Sequence, residues 1–434
     1  MTDAMGFAIA QVAPGVEVRV RSSHRFHRTT FALFIEQRLA PDLASATALL
    51  PRVLRRGTAS YPETLDLERV QADLYGASLD AGVMKVGERH VITVSLTMPA
   101  QRYVGEPGLD DRGLALLAEA AARPAVDPDG RLRAGYVAHE TRELAREIRA
   151  QRDHKMGWAQ QRCIAIMCAG EPYGVPELGT EEGLAGLDAA GLTDYHAALL
   201  SRHPMTLYAF GPFDDAAAVG RRLAELGGEL RSGGPVELPP PVTDVPAPAR
   251  PRRVEEWEDM AGGWMVLGFR AGVLRADPDY YAMLLLNDLY GGSPHSRLFL
   301  KVREQASLAY TAGAAYDANK GIMLAVAGID PSRRAQAEEM MLAELADLAA
   351  GNIGADEFAA SRATLMRRLK EREDRPGDLI MANLVGRISG RVDGLDEALR
   401  RIAAVTPEQV AAAARMARLD TVYFLGGRGR ISGL

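Results

Sequence analysis

Three glutamates lie close together in the stretch HETRELAREI (139–148), and their spacing suits metal binding or acid–base chemistry. Glu140, Glu143 and Glu147 are three and four residues apart, so a helix would place them on one face. The carboxylates could form part of a metal site, or they could pair with arginines of the same helix on a solvated surface. These arginines are Arg142, Arg146 and Arg149.

A metal site needs further ligands, and the histidines of this chain do not occur in a metal-binding pattern. None of the eight lies in an H-x-x-E-H or H-E-x-x-H sequence. His24 and His27 are close to each other, but the surrounding SSHRFHR has no acidic ligand and is typical of a solvated loop or strand edge. His90 lies on the apolar face of the alternating run RHVITVSL (89–96), which favours a core histidine with hydrogen-bond partners.

The composition is that of a globular protein with sizeable cores: 434 residues, 47% hydrophobic and 25% charged. A net charge of −6 and the lack of a basic cluster argue against a nucleic-acid partner. A membrane-spanning helix needs about eighteen consecutive apolar residues, and no stretch of the sequence is close to that length. No secretory signal is evident either, so we expect no membrane partner and a cytoplasmic location. Cys163 and Cys168 are too few for a disulfide framework or a structural zinc site and are predicted to be packing residues.

The elements that must position these residues fall into two similar halves. The segment 232–252, SGGPVELPPPVTDVPAPARPR, holds seven of the 24 prolines and is typical of a stiff linker between residues 1–231 and 253–434. Near its start, each half has a β-rich run, a spacer and an apolar helix that stops at a glycine, in 31–57 and 265–291. The pattern predicts an α+β fold with two homologous domains, each a mainly antiparallel sheet with helices packed on one face.

Four motifs of this sequence resemble those of the insulinase/pitrilysin-type zinc peptidases, in their short two-domain bacterial form. They are RRGTASYP (55–62), KVGERHVITVSL (85–96), GEPYGVPELGT (170–180) and GGSPHSRLFLKVREQASLAY (291–310). The resemblance covers nearly the whole chain, and the order and distances of the motifs agree with the family.

The resemblance also shows what this chain lacks. In the family, the first helix carries H-x-x-E-H shortly before a Gly-Thr pair, with two histidines on zinc and a glutamate as general base. Counting back from Gly57 and Thr58 gives Ala48 and Arg52 at the positions of the two histidines and Pro51 at the position of the glutamate. None of these side chains can bind zinc, and Pro51 is expected to shorten or kink the helix.

The glutamate stretch can be interpreted against this resemblance. The family's third zinc ligand and a supporting glutamate seven residues before it correspond to Glu147 and Glu140. Without the histidines they form a remnant acidic face, and pairing with Arg142, Arg146 and Arg149 is favoured over residual metal binding. We therefore assign no metal and no catalytic residue to this chain alone.

A second pair from the resemblance is kept. Peptide-cleaving members have an arginine and a tyrosine seven residues apart that face the zinc and hydrogen-bond the substrate carbonyl, and Arg303 and Tyr310 match them. A guanidinium and a phenol are donors suited to stabilising an oxyanion. The other interpretation is a surface arginine beside a core tyrosine.

These features together predict a non-catalytic, substrate-binding subunit of a heterodimeric zinc metallopeptidase. The zinc is expected in a homologous H-x-x-E-H partner, encoded nearby, and not in this chain. The substrates would be peptides or flexible protein segments, added as a strand to a sheet edge. Two alternatives remain: a non-proteolytic scaffold, and an accessory or maturation factor of the same fold.

We expect the isolated protein to bind no stoichiometric zinc and to cleave no unstructured peptide, because residues 48–52 offer no imidazole and no base. Metal analysis after extensive dialysis, beside an assay with a quenched fluorescent peptide, measures both. One tightly held zinc per chain together with chelator-sensitive cleavage would contradict this expectation.

Overall fold

The strands of the computed structural model, which describes residues 1–429, follow the β-branched and alternating runs of the sequence. In chain order they are β1 (Ala8–Ala13), β2 (Val16–Ser22), β3 (Arg28–Arg38), β4 (Ser78–Val86), β5 (Arg89–Pro99), β6 (Met205–Gly211), β7 (Arg252–Ala261), β8 (Gly263–Arg270), β9 (Ala309–Asp317), β10 (Ile322–Ile329) and β11 (Arg418–Gly429).

The helices follow the stretches with a period of three to four residues. They are α1 (Pro41–Leu54), α2 (Thr64–Asp73), α3 (Gln101–Val104), α4 (Leu109–Ala122), α5 (Ala134–Ala150), α6 (Lys155–Met167), α7 (Glu181–Ala185), α8 (Ala189–Arg202), α9 (Ala216–Leu230), α10 (Tyr280–Asn287), α11 (Arg334–Ala349), α12 (Ala355–Arg372), α13 (Pro376–Ile388), α14 (Leu395–Ala404) and α15 (Pro407–Met416). Short 3₁₀ turns span Gln151–Asp153, Pro172–Gly174 and Pro331–Arg333, and π-helical turns span Asp288–Gly292 and Leu298–Gln305. Among residues 1–429, no helix combines the length and the apolarity needed to cross a bilayer.

The chain divides into two compact units, each built from several stretches of sequence. Unit 1 comprises Met1–Arg149, Val175–Pro240 and Arg375–Leu384. Unit 2 comprises Ala150–Gly174, Pro241–Asp374 and the described residues from Val385 onward. The division at Pro240 falls within the proline-rich segment 232–252, but the units differ from contiguous halves because 150–174 and 375–384 are exchanged.

Unit 1 contains a six-stranded sheet in the order β1-β2-β6-β3-β5-β4. Only β2 and β6 pair in parallel, and the other neighbours are antiparallel. One face is buried against helices and includes the predicted alternating residues Ile92, Val94 and Leu96. β4 is the edge strand on the side of the β4–β5 hairpin, next to helix α1.

The opposite face of the unit 1 sheet is covered in part by the exchanged segment Arg375–Leu384. Asn383 is fully buried, and its Oδ1 accepts hydrogen bonds from Arg19 Nη1 and Tyr208 Oη, each at 2.9 Å. Its Nδ2 donates to Asp3 Oδ2 at 2.7 Å. One amide therefore satisfies a buried guanidinium, a phenol and a carboxylate on that face.

Unit 2 repeats this architecture. Its five-stranded sheet has the order β7-β11-β8-β10-β9, which is the order of unit 1 without a counterpart of β1. Helices α10, α11, α12, α14 and α15 pack around one core, and α6 with the residues that follow it packs on the other sheet face against Val266, Ile322 and Tyr423. The predicted α+β fold with two mainly antiparallel sheets is confirmed, and each sheet carries an additional helical cover on its second face.

Asn383→Ala is expected to lower the free energy of unfolding by about 1–3 kcal/mol, because Arg19 and Tyr208 lose a buried acceptor. Hydrogen–deuterium exchange of peptides from β2 and β6 measures the effect locally. The three tryptophans belong to unit 2, so their fluorescence follows that unit separately. Asn352→Ala, at an exposed asparagine of unit 2, is the control, and equal protection of β2 in both variants would contradict the role of Asn383.

Candidate functional site

Helix α1 carries the positions of the lost zinc motif and forms one wall of a cleft in unit 1. The helix begins at Pro41, whose fixed φ suits the first helical position, and it buries Ala48 and Pro51. It continues to Leu54, so the expected shortening at Pro51 is wrong. Pro51 has no N–H to donate to the carbonyl four residues earlier, so the helix loses one hydrogen bond at this point. Its ring is buried together with the rest of that helix face. The cleft has a volume of about 520 Å³ and is bounded by α1, α5, edge strand β4 and the segment at Glu177.

Arg52 is held by both glutamates of the predicted acidic face. Its Nη2 donates to Glu147 Oε2, and its Nη1 lies 3.8 Å from Glu140 Oε2. Glu140 is only 5% exposed, and Arg56 Nε donates to its Oε1 at 2.5 Å. Two carboxylates of α5, Arg52 of α1 and Arg56 just after that helix thus form one ion-pair network.

This network corrects the interpretation of α5 as a helix with internal pairing. Glu143 does pair with Arg146 of its own helix, and Arg149 pairs with Glu181 instead of a neighbour on α5. Glu140 and Glu147 pair across to α1 because α5 turns that face toward α1. Sequence reasoning missed Arg56, although the RRG directly after α1 places a second cation four residues after Arg52.

The donor set of the cleft does not fit zinc. Zinc sites use imidazole, thiolate and carboxylate ligands, whereas the position of the second motif histidine carries a guanidinium, which stays charged and has no acceptor. That guanidinium lies against the carboxylates that a metal would use. Within residues 1–429, no cluster of three or more histidine, cysteine, aspartate or glutamate side chains could hold a metal ion.

Edge strand β4 presents a short open stretch of backbone to the same cleft. In a strand, alternate residues point their N–H and C=O groups outward. The outward N–H of Leu79 is bonded by Gln71 Oε1 and that of Lys85 by Glu177 Oε2, each at 2.9 Å. Ala81 and Val83 lie between these two capped positions, line the cleft and share their outward orientation. The edge can therefore accept a short added strand, and side chains close it at both ends.

Tyr310 of unit 2 is an exposed tyrosine with a fixed ring. Ile329 pairs with Ala309 and Gly328 pairs with Thr311, so Tyr310 is the extra residue of a β-bulge at the start of edge strand β9. Its ring crosses Gly328, where any side chain would collide with it, and meets Trp264 edge-on at 5.3 Å between centroids. The residue is 54% exposed, so it is not the core tyrosine of the alternative interpretation, and its contact with a substrate stays a prediction. Partial burial raises the pKa of the Tyr310 phenol, which therefore stays a hydrogen-bond donor at neutral pH.

Arg303 lies on the π-helical turn Leu298–Gln305 of the same unit. Its guanidinium stacks on the ring of Phe299 at 4.4 Å, and its Nε is 3.4 Å from Glu304 Oε1. These contacts come from its own helix, whereas those of Tyr310 come from β8 and β10. The side chain is 39% exposed, so the cation remains accessible to a ligand.

The remaining predicted residues are structural. His90 is fully buried, and burial lowers the pKa of its imidazole to about 4, which keeps the ring neutral. The Glu177 backbone beside the ring partly offsets this lowering of the pKa, and the buried position agrees with the predicted core histidine. His24 and His27 are exposed between β2 and β3, as expected. Cys163 and Cys168 are buried packing residues, and burial raises the pKa of the Cys163 thiol to about 12.

Glu140→Ala is expected to lower the free energy of unfolding by about 1–3 kcal/mol, because Arg52 and Arg56 lose their shared buried carboxylate. Both arginines are about one-third exposed or less, so water relieves part of the cost. Glu143→Ala, which removes only an exposed pair of the same helix, should change it by about 0.5 kcal/mol or less. Urea denaturation followed by circular dichroism compares the two. Equal effects would show that the network contributes nothing beyond a surface pair.

Comparison with known proteins identifies the family. The family description "Peptidase M16 inactive domain" matches residues 186–365. The Bacillus subtilis protein named "Probable inactive metalloprotease YmfF" is 30% identical over 415 residues, which cover 95% of this chain and 96% of that protein. An "Uncharacterized zinc protease" of Mycobacterium tuberculosis, Rv2782c, is 26% identical over 66% of each chain.

Solved structures show the same fold. A conserved protein from Enterococcus faecalis V583 has a TM-score of 0.89 at 24% identity, covering 97% of this chain and 99% of that chain. A peptidase M16 inactive domain from Pseudomonas fluorescens has a TM-score of 0.77 at 16% identity, covering 99% and 100%. The match to the Bacillus protein extends over nearly the whole length, and the zinc-motif positions hold Ala48, Pro51 and Arg52. This chain therefore belongs to the M16 family of insulinase/pitrilysin-type peptidases, as an inactive-type homologue.

Proposed function

We propose that this chain is the non-catalytic, substrate-binding subunit of a two-chain zinc metallopeptidase that acts on peptides or flexible protein segments. A homologous partner with H-x-x-E-H would hold the zinc. This chain would contribute half of the chamber and the donors Arg303 and Tyr310.

The fixed, exposed phenol of Tyr310 is the observation that carries this proposal. A β-bulge, a glycine at 328 and the edge of Trp264 together hold the ring where its hydroxyl can meet a ligand. Bulges often re-aim a side chain near a functional site. Tyr290 and Tyr423 of the same unit, by contrast, are fully buried.

Arg303 supports the same role by contrast with Arg297, six residues earlier. Arg297 is 5% exposed and is bound by Asp347 and Glu357, which is the pattern of a structural arginine. Arg303 is stacked on Phe299 and accessible, so its guanidinium can donate to a peptide carbonyl. An arginine and a tyrosine of this kind can stabilise negative charge that develops on the carbonyl oxygen during hydrolysis in the partner's site.

The ion-pair network of unit 1 supports dependence on a partner. Arg52 neutralises Glu140 and Glu147 without supplying a Lewis acid or a base, so hydrolysis must use groups from another chain. A non-proteolytic scaffold or an accessory factor remains the alternative. In that case the exposed pair would have no effect on turnover, which the following variants test.

In a co-purified complex with an H-x-x-E-H partner, Arg303→Ala or Tyr310→Phe should leave assembly intact and lower kcat. The loss of one oxyanion donor typically reduces the rate by about 10²–10³. If the pair binds ground state and transition state equally, KM should rise while kcat stays constant. Size-exclusion chromatography and peptide kinetics on the same preparations measure both.

Matched controls separate chemistry from packing. Arg362→Ala removes an arginine stacked on Phe358 at 5.4 Å in the same unit, and Tyr103→Phe removes the hydroxyl of another exposed tyrosine. Gly328→Ala keeps the Tyr310 hydroxyl but displaces the ring, so it should lower turnover as well. Wild-type kinetics for both Arg303→Ala and Tyr310→Phe would favour the scaffold.

A further inference from the structure

We propose that a second cleft in unit 1 is an ammonium-binding site, in which the carboxylate of Glu119 receives a primary alkylammonium group such as that of a lysine side chain. This α2–α4 cleft lies between helices α2 and α4 and the residues Ser60 and Tyr61, and its volume is about 500 Å³. It shares no lining residue with the cleft at α1. The site therefore goes beyond the proposed peptidase role and does not depend on it.

Glu119 is a buried carboxylate without a cation. The residue is 6% exposed, and its Oε1 accepts the backbone N–H of Ser60 at 2.5 Å. Within residues 1–429, this bond is the only one to its carboxylate, and no basic side chain forms an ion pair with it. The side chain lines the cleft, so Oε2 is available to a ligand. A buried charge without a counter-ion is unfavourable, and a cation bound at Oε2 would relieve that cost.

Both arginines that line the α2–α4 cleft are already paired with other carboxylates. Arg69 lies 3.3 Å from Asp66 on the same helix, and Arg112 pairs with Glu106, which stands outside the lining. Each of these two pairs is neutral. Neither arginine is therefore left over to compensate Glu119.

The remaining charges at the cleft are negative. Asp73, at the end of α2, lines the cleft, and its carboxylate has no ion pair among the described residues. Arg112 reaches only the backbone carbonyl of Asp73, at 3.2 Å. Arg123, four residues after Glu119, is exposed and does not line the cleft. Two carboxylates, one buried and one at the surface, thus attract a cation to this cleft.

The hydrogen bonding of Glu119 favours an ammonium over the other cations. A guanidinium binds a carboxylate best through both oxygens, but Oε1 is already used by Ser60. A compact ammonium needs only one oxygen. A metal ion would need several ligands, and no cluster of three or more metal-binding side chains occurs within residues 1–429.

Apolar side chains beside Glu119 suit the stem of an alkylammonium ligand. Val70 of α2, Leu74 just after it and Leu116 of α4 line the same cleft, and Tyr61 packs against the core next to them. A lysine side chain can bury its methylene groups on such a surface while its ammonium group binds a polar atom. The cleft thus combines an apolar wall with a single free carboxylate oxygen.

Binding of small probes to the full-length chain tests this proposal. The probes are n-butylammonium, its neutral analogue n-butanol and n-butylguanidinium, titrated separately and followed by ligand-observed NMR. At low salt, n-butylammonium should bind about threefold to tenfold more tightly than n-butanol, as expected for a charge-assisted hydrogen bond, and more tightly than n-butylguanidinium. The preference over n-butanol should shrink in about 0.5 M salt.

Three variants assign the preference to the cleft. Glu119→Gln keeps an oxygen that can accept the Ser60 N–H but removes the charge, so it should abolish the preference and leave n-butanol binding unchanged. Asp129→Asn is the matched control, because Asp129 is an exposed carboxylate that also accepts a backbone N–H. Ala115→Phe fills the cleft from an exposed position of α4 and should weaken all three probes. Unchanged circular dichroism and melting temperature confirm that each variant is folded.

Two further probes identify the source of the ammonium group. N-acetyl-lysine amide carries one cation, as a lysine of another protein does, whereas 1,4-diaminobutane carries two. Tighter binding of the blocked lysine assigns the site to a lysine side chain. Tighter binding of the diamine assigns it to free diamines, whose second ammonium group Asp73 would attract. Either order supports the ammonium site.

The failures of this inference and of the proposed function are distinguishable. Equal binding of n-butylammonium and n-butanol, a preference that survives Glu119→Gln, or no binding of any probe would overturn the ammonium site. The dependence of turnover on Arg303 and Tyr310 in the assembled complex is measured separately and would be unaffected.

Discussion

The electrostatic compensation of Glu140 is the constraint on which unit 1 depends. This carboxylate is 5% exposed at the contact between α5 and α1, and a buried charge without a partner costs several kcal/mol. In a zinc-binding relative the metal would supply positive charge at this contact. Here Arg52 of α1 and Arg56, just after that helix, supply it. The two helices can therefore keep their packing although the ligands of the metal motif are gone.

The same substitution removes the groups that zinc-dependent hydrolysis uses. A guanidinium donates hydrogen bonds and carries a fixed charge, but it cannot deprotonate a water molecule at neutral pH. The elements around it still offer an open edge at Ala81 and Val83 and, in unit 2, the fixed phenol of Tyr310. In the proposed function these two features would contact the peptide, while the replaced hydrolytic groups agree with the inactive-type relatives that the chain matches.

The sequence predicted the features that depend on local periodicity. The alternation in RHVITVSL predicted β5 and its buried face, and the repeated β-rich runs and glycine stops predicted two sheets of the same kind. The motif count also located Ala48, Pro51 and Arg52 on the first helix. These predictions succeed because strand and helix patterns are set by neighbouring residues.

Features that depend on tertiary contacts were not accessible in this way. No local signal indicates that Glu140 pairs with Arg56, 84 positions earlier in the chain, instead of with an arginine on its own helix. The exchange of 150–174 and 375–384 depends on which segment covers the second face of each sheet. The bulge at Tyr310 depends on the register of β9 against β10. In each case the deciding interaction joins residues far apart in sequence.

The central claim is that this chain contacts the substrate of a two-chain peptidase at Tyr310. Photo-crosslinking tests it most directly, with benzoylphenylalanine placed at position 310 in the assembled complex and a labelled substrate peptide added before irradiation. The account predicts a crosslink between position 310 and the peptide that unlabelled peptide competes away, and none from the same photoprobe at Leu65, an exposed residue on α2. A complex that cleaves the peptide but gives no specific crosslink from position 310 would contradict it.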